Sequence, residues 1–293
     1  MNNKLLFSIF SIGFFLLLGI AKGQSQENLT LTVMSFNIRL HIASDGENNW
    51  ENRRDWVGQM IEYNAPDIIG CQEVLFDQLT DMLNRLPAYG YVGVGRDDGI
   101  KSGEFSPIFY KRDKFQLIDN ATFWLSETPQ IPGKGWDAAY VRIVSWAELK
   151  DKASGKIFYA FNTHFDNMGE VARKESALLL LRKIYEIAGK ADAVITGDFN
   201  STKQSEVYAL LTTGADKFNP LLDTYYVAES KYGPEWTFHG FGQTPVEKRE
   251  KIDYIFINHK NNAVVSKAVI ISEQRGNLFL SDHCPVLAEI IFR

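Results

Sequence analysis

"VITGDFNSTKQS", residues 194–205, sets an apolar, strand-like run directly against Gly197, Asp198, Phe199 and Asn200, after which the chain turns polar. A strand alternates its side chains between two faces, so Asp198 and Asn200 share one side of the chain. A carboxylate and a carboxamide aimed at one point suit a hydrated cation or a polarised water. They equally suit a turn, in which short polar side chains bond their own backbone. Taken alone, the turn is the simpler reading.

The same pattern recurs along the chain. "TVMSFN" ends in Asn37 and "DIIGCQE" in Glu73. "FYAFNTHFD" carries Asn162, His164 and Asp166 at alternate positions, hence on one face. "KIDYIFI" opens with Asp253, and "SDHCPV" places Asp282 and His283 just before the last strand-like segment. One convergent polar site at the strand ends explains this better than a series of coincidental turns.

Outward from these segments, helix-like and strand-like stretches alternate. "LTLTVMSFNI" reads as a strand by its β-branched and aromatic content. "WENRRDWVGQMIEYN" places Trp56, Met60 and Tyr63 at helical spacing and stops at Ala65-Pro66. "FDQLTDMLNRL" is amphipathic, and "EVARKESALLLLRKIYEIAG" is the longest helix, stopped by Gly189. From "YGYVGVG" to "FYAFNTHF" successive strands follow one another, joined by "GRDDGIKSGEF" and "SETPQIPGKGWDAA". "AVVSKAVII" and "PVLAEIIF" are further strands. Mixed β and α with an antiparallel middle indicates an α/β or α+β sandwich. No repeat, low-complexity tract or linker divides the chain, so residues 28–293 read as a single domain.

The first residues stand apart. Lys4 precedes the apolar run "LLFSIFSIGFFLLLGIA", and Ala21-Lys22-Gly23 offers small residues for cleavage. Residues 1–23 therefore read as a secretory signal peptide, with an uncleaved anchor as the alternative. Export to the periplasm or the extracellular space follows, with no transmembrane span after cleavage. The net charge of the 293-residue chain is −5, so no global positive field advertises nucleic-acid binding. Cys71 and Cys284 lie in apolar, strand-like surroundings and read as two buried thiols rather than a disulfide.

The ligand chemistry can be typed from the residues. Carboxylates and amides dominate, and no Cys/His spacing of the zinc kind occurs, so Mg²⁺ or Mn²⁺ suits better than Zn²⁺. Histidines at strand ends suit acid–base or phosphate-contact roles. There is no G-x-S-x-G elbow, P-loop or dinucleotide fingerprint, which disfavours covalent serine chemistry and nucleotide cofactors.

At these residues the sequence resembles the endonuclease/exonuclease/phosphatase superfamily. "SFNI", "QE", "NTH", "GDFN", "KIDYIF" and "SDHCP" occur in that family's order and span most of the chain. The resemblance implies a four-layer α/β/β/α sandwich, two packed mixed β-sheets flanked by helices, and metal-dependent phosphoester hydrolysis. It implies Glu73 as metal ligand, with Asn37 and Asp282 in or near the metal's shell. Asp198 would orient and deprotonate water, and Asn200 would hold the water or a phosphate oxygen. His283, oriented by Asp253, would contact the phosphate, and His164 would stabilise charge or assist the leaving group. Each role has a plain alternative: helix cap, turn residue, surface carboxylate or core histidine.

Tyr110, Arg142 and Trp236 are secondary candidates for phosphate or substrate contact, against readings as strand edge, ion pair and core. Trp136 and Asp137 are candidates for a pocket rim. Arg53, Arg54 and Arg96 are the basic residues near motif loops, and solvated surface positions account for them. The expected partner is a phosphoester substrate, nucleic acid included; no stable protein partner is implied. Phosphodiester hydrolysis of the nuclease kind ranks slightly ahead of a phosphatase or phospholipase-C-like activity on sugar phosphates or lipid headgroups. A catalytically inactive binding protein on the same fold is the third possibility, and the intact residue set argues against it.

Overall fold

The computed structural model describes residues 28–258 and 263–293. The segment read as a signal peptide, residues 1–23, lies outside the described residues. No helix among the described residues is long and apolar enough to cross a membrane.

Two mixed sheets carry the fold. The seven-stranded sheet runs in the order Ser230–Tyr232, Ala263–Ile270, Val286–Phe292, Leu29–Asn37, Ile68–Gln72, Ile108–Lys111, Tyr89–Val92. The six-stranded sheet runs Phe115–Trp124, Ile143–Asp151, Ile157–His164, Asp192–Asp198, Asp253–Ile257, Leu222–Asp223. Helices Trp50–Asn64 and Phe76–Arg85 cover the first sheet, and Glu170–Ala188 and Glu206–Thr213 cover the second. This is the four-layer α/β/β/α sandwich.

Strand alternation sorts the side chains into three cores. Along Leu29–Asn37, Leu29, Leu31 and Val33 pack between the sheets, while Met34 and Phe36 pack outward under the first helix pair. In the other sheet Phe158, Ala160, Val194 and Ile255 face inward, while Phe161, Ile195, Tyr254 and Phe256 face the second helix pair. Burial of a large apolar side chain contributes about 1.5–3 kcal/mol, so this sorting fixes each strand's register.

The inward set of each strand continues to its end, and there it turns polar. Asn37, Asn162, His164, Asp198 and Asp253 all keep the inward parity, so the alternation that builds the core also delivers the polar groups to one end of it. Asp198 lies opposite His164 in a parallel pair and opposite Asp253 in an antiparallel pair. At that end the two sheets approach closely, because Gly70 presents no side chain: a Cβ there would collide with Thr196 and Asn162.

Two local expectations change. Trp56 and Met60 are buried, but Tyr63 is 89% exposed; the buried stripe is completed instead by Val57 and Ile61. Arg53 is not a solvated surface residue. Its guanidinium is fully buried and donates to the carbonyls of Asn48, Ile38 and Leu280, clamping three segments of backbone. The helices end at Ala65 and Gly189, as the sequence implies, both at positive φ, and both cysteines are free and buried.

Candidate active site

Phe199 explains why "GDFN" is rigid. Its ring packs edge-on against Phe165 at 4.9 Å and Phe256 at 5.2 Å, on the outer face of the sheet. Such pairs contribute about 0.5–1.5 kcal/mol each beyond their buried area. Anchored there, the chain turns Asp198 and Asn200 inward on either side. Asn200 adopts φ 45, a left-handed conformation that Asn tolerates better than most residues, and its backbone N–H donates to Asp198 Oδ1 at 2.9 Å.

Asp198 is the hub. Its Oδ2 accepts from Asn37 Nδ2 at 3.0 Å and lies 3.5 Å from His164 Nε2 and 3.7 Å from His283 Nε2. Asn37 Nδ2 also donates to Glu73 Oε1 at 3.1 Å, so the bond to Asp198 links the two sheets and the bond to Glu73 extends the link to the neighbouring loop. Burial, followed by repulsion from Asp253, raises the Asp198 carboxyl to about 7. A carboxylate so poised is suited to accept a proton near neutrality.

The two histidines are driven apart. Burial alone would lower His283, but Asp253, 2.9 Å from Nδ1, together with Asp198, holds the ring well above its ordinary value and therefore protonated. His164 is lowered well below its ordinary value by burial and by Arg142 and Arg96. The amide hydrogens of Asn200 go to Phe165 O at 3.0 Å and His164 Nε2 at 3.1 Å, so the neutral ring carries its proton on Nδ1. That N–H has no partner. The Asn200 side chain is thus committed to orienting His164 and leaves only its Oδ1 for a ligand.

These groups line a cavity of about 640 Å³ with Arg39, Glu73, Glu104, Tyr140, Arg142, Asn167, Phe238, Glu250 and Asp282. The volume falls in the range of small-molecule sites. Arg39, Glu104, Tyr140 and Asn167 are not among the residues singled out from the sequence. Glu104 is held by Arg96 at 2.8 Å, so Arg96 is a partly buried ion-pair partner rather than a solvated residue. Burial is the largest influence on the Glu104 carboxyl and raises it. Arg142 reaches the cavity with Nη1 buried and unpartnered.

Other residues fall elsewhere. Tyr110 packs beside the core between the sheets, its ring filling the space over Gly90, and does not line the cavity. Trp236 also packs on that core, under Arg249 at 4.4 Å; the aromatic that meets the site is Phe238, 5.0 Å from the His283 ring. Asp166 leaves the face of His164 because the strand ends at His164. Its carboxylate accepts from the N–H groups of Ala139, Tyr140, Met168 and Gly169, which fixes the loop carrying Tyr140. Asp137 caps the Glu170–Ala188 helix through Ala172 N at 2.6 Å, and Trp136 packs on the outer core.

Glu73 and Asp282, with Asp198 beside them, offer hard oxygen donors that fit a hard divalent cation. Asn37 turns its Nδ2 to Glu73 and Asp198 and its Oδ1 to the Arg39 N–H, and so orients the carboxylates. Glu73 adopts φ 60, a strained conformation of the kind found at functional positions. Donor atoms of Asp198, Asp253 and His283 also converge within 4.8 Å. There, however, Nδ1 of His283 is bound to Asp253, so that triad reads as a proton-handling unit rather than the ion's cradle.

A base poised near neutrality, an imidazolium and hard oxygen donors around one cavity define a hydrolase acting on phosphoester bonds. The chain belongs to the Endonuclease/Exonuclease/phosphatase family, whose model matches residues 34–283. It is similar to an endonuclease/exonuclease/phosphatase from Bacteroides vulgatus, 45% identical, with 90% of this chain and 100% of that one covered and a TM-score of 0.86. It is also similar to the mannosyl-6-phosphatase Bt3783 of Bacteroides thetaiotaomicron, 37% identical, with 89% and 100% covered and a TM-score of 0.82. An uncharacterised protein, L388, of Acanthamoeba polyphaga mimivirus is 30% identical over 66% of this chain and 76% of its own length.

Proposed function

We propose that the protein hydrolyses a small phosphoester, a sugar-phosphate-sized monoester before a polynucleotide, with Mg²⁺ or Mn²⁺ as cofactor. The observation that carries this reading is the charge of the cavity wall. Each arginine that reaches the cavity lies against a carboxylate: Arg39 with Asp45, and Arg142 with Asp166 and Glu104. Glu250 adds a further acid to the lining. A polynucleotide backbone is gripped by unpaired Lys and Arg spaced along a groove, and among the described residues no such row lines this cavity. The likeness to a mannosyl-6-phosphatase supports the same substrate class. Phosphodiester hydrolysis, which the sequence ranks first, is the rival outcome of the test.

Glu73 and Asp282, aided by Asn37, would hold the ion, which when bound would supply positive charge to the phosphoryl oxygens. The remaining chemistry belongs to the chain. Asp198 accepts the proton of the attacking water. His283 donates from Nε2 to a phosphoryl oxygen, and Asp253 keeps that ring charged and aimed. The free Nδ1–H of His164 and Nη1 of Arg142 supply donors to the phosphate or the leaving oxygen. The leader-like residues 1–23 support action outside the cytoplasm, and cell fractionation of the full chain tests that location.

The test is an assay of mannose 6-phosphate, a chromogenic phosphodiester and an oligonucleotide, each with Mg²⁺, Mn²⁺ or EDTA, beside His283→Ala. Turnover of the monoester, abolished by EDTA and by the substitution, is expected. Faster turnover of the oligonucleotide would overturn the substrate reading. Activity undiminished by EDTA would overturn the metal.

A further inference from the structure

The guanidinium of Arg39 occupies an unusual place. Its Nε and Nη2 donate to the two oxygens of Asp45 at 2.9 and 3.0 Å. Its third nitrogen, Nη1, points at the pair of carboxylates assigned to the ion, 4.0 Å from Glu73 Oε2 and 3.9 Å from Asp282 Oδ2. Those separations are too long for hydrogen bonds yet well inside Coulombic range. The arrangement is built rather than casual. Arg39 adopts φ 60, its backbone N–H donates to Asn37 Oδ1 at 3.0 Å, and the Asp45 side chain that leashes it is only 8% exposed.

We propose that Arg39, leashed by Asp45, makes capture of the divalent ion and capture of the phosphate interdependent. This rests on the metal-dependent reading of the site. Without substrate, the guanidinium faces the same two carboxylates as the ion and repels it, so the ion alone is held weakly. A phosphate brings negative charge to both cations at once. Nη1 then has an anionic partner, and repulsion becomes a shared attraction. Asp45 is a positioning residue: its two-point grip keeps the guanidinium from closing onto Glu73 and Asp282, which would shut the site to the ion.

The structural alternative, that Arg39 merely neutralises an acidic patch and steadies its loop, predicts a different pattern. Removing it would then weaken ion and phosphate binding together. Calorimetric titration of the purified protein with Mn²⁺ alone, and with Mn²⁺ in the presence of inorganic phosphate, separates the two. In the wild-type chain phosphate should tighten Mn²⁺ binding by about tenfold. In Arg39→Gln, Mn²⁺ alone should bind about tenfold tighter than to wild type, and the enhancement by phosphate should largely vanish. In Asp45→Asn the freed guanidinium should weaken Mn²⁺ binding, the opposite sign. Equal or weaker Mn²⁺ binding by Arg39→Gln overturns the proposal, whether or not the phosphate effect persists. So does Asp45→Asn binding Mn²⁺ as wild type does. Failure of the wild-type chain to bind Mn²⁺ under either condition would instead sink the metal-dependent reading, and this proposal with it.

Discussion

Asp253 Oδ2 stands 2.9 Å from Nδ1 of His283, which leaves Nε2 of the same ring 3.7 Å from Asp198. Asp253 thus sets the direction of the imidazolium and, with Asp198, its charge. Asp253→Asn removes the charge and keeps the shape. It should lower kcat by roughly 10²–10⁴-fold, the scale seen when the orienting carboxylate of a histidine is neutralised, while KM moves little. Steady-state kinetics on the folded variant checks this. A loss confined to KM would remove Asp253 from that role.

Asp198 carries a cost in the folded state. Its carboxyl ordinarily loses its proton near 3.8, whereas burial and then Asp253 raise it to about 7. Between these values the folded chain binds a proton that the unfolded chain has released. Stability from this group therefore falls as pH rises through that window and stays lost above about 7. Asp198→Asn should abolish turnover yet stabilise the protein by about 1–3 kcal/mol at pH 8. The gain should fade toward pH 4. Thermal unfolding at the two pH values checks the sign; equal effects at both would refute it.

The four-layer order of the sandwich and the roles within the site came from the family resemblance, but the convergence of polar groups at the strand ends was legible from the residues themselves. Period-two alternation assigns each strand a buried side, and that same side ends in Asn37, His164, Asp198 or Asp253. Loop residues beside the strand ends, Glu73, Asn200, Asp282 and His283, were legible through the motifs, but other loop residues of the site were not. Arg39 follows the strand at a positive φ that no periodicity marks, and Glu104 sits in a loop whose sequence looks like ordinary solvent-exposed connection. Tyr140 reaches the cavity only because Asp166 folds its loop back. Tyr110 and Trp236 were candidates by the family resemblance, and packing placed both rings on the core instead.

Gly70 tests the closeness of the sheets at the site. A methyl group there would meet Thr196 Oγ1 and Asn162 Oδ1, and Asn162 accepts from Gln72 Nε2 at 2.6 Å and Thr196 Oγ1 at 3.0 Å. Gly70→Ala should therefore destabilise by about 2–3 kcal/mol, through overpacking and broken buried hydrogen bonds. Denaturant unfolding checks it. A change under ~0.5 kcal/mol would mean that the sheets part at little cost.

Glu73→Gln should weaken Mn²⁺ binding by roughly 10–100-fold, because a neutral amide oxygen holds a hard cation poorly. Glu73 accepts from Asn37 through Oε1 and from the Leu40 N–H through Oε2, at 3.1 Å each. The single amide oxygen of Gln keeps one of these, so stability should fall by about one hydrogen bond, ~1–2 kcal/mol, with the fold retained. Direct titration with Mn²⁺ measures the loss. Unchanged affinity would remove Glu73 from the ion's ligands.

Arg142 separates recognition from chemistry. Its Nε lies 3.5 Å from Asp166 and its Nη2 3.3 Å from Asn167, a pair of contacts that orients the fork and leaves Nη1 without a hydrogen bond, 4.0 Å from Glu104. Burial is the largest influence on its charge and acts to lower its proton affinity, so an anion in the cavity would relieve an existing cost. Arg142→Lys keeps a charge but loses the planar fork, and Arg142→Ala loses both. The order of KM for the preferred phosphoester should be wild type, then Lys, then Ala, with a rise of about tenfold or more for Ala, the cost of one charge-assisted hydrogen bond. If Arg142 instead only supports the loop through Asp166, both variants should lose stability with KM unchanged. Kinetics paired with thermal unfolding distinguishes the two roles.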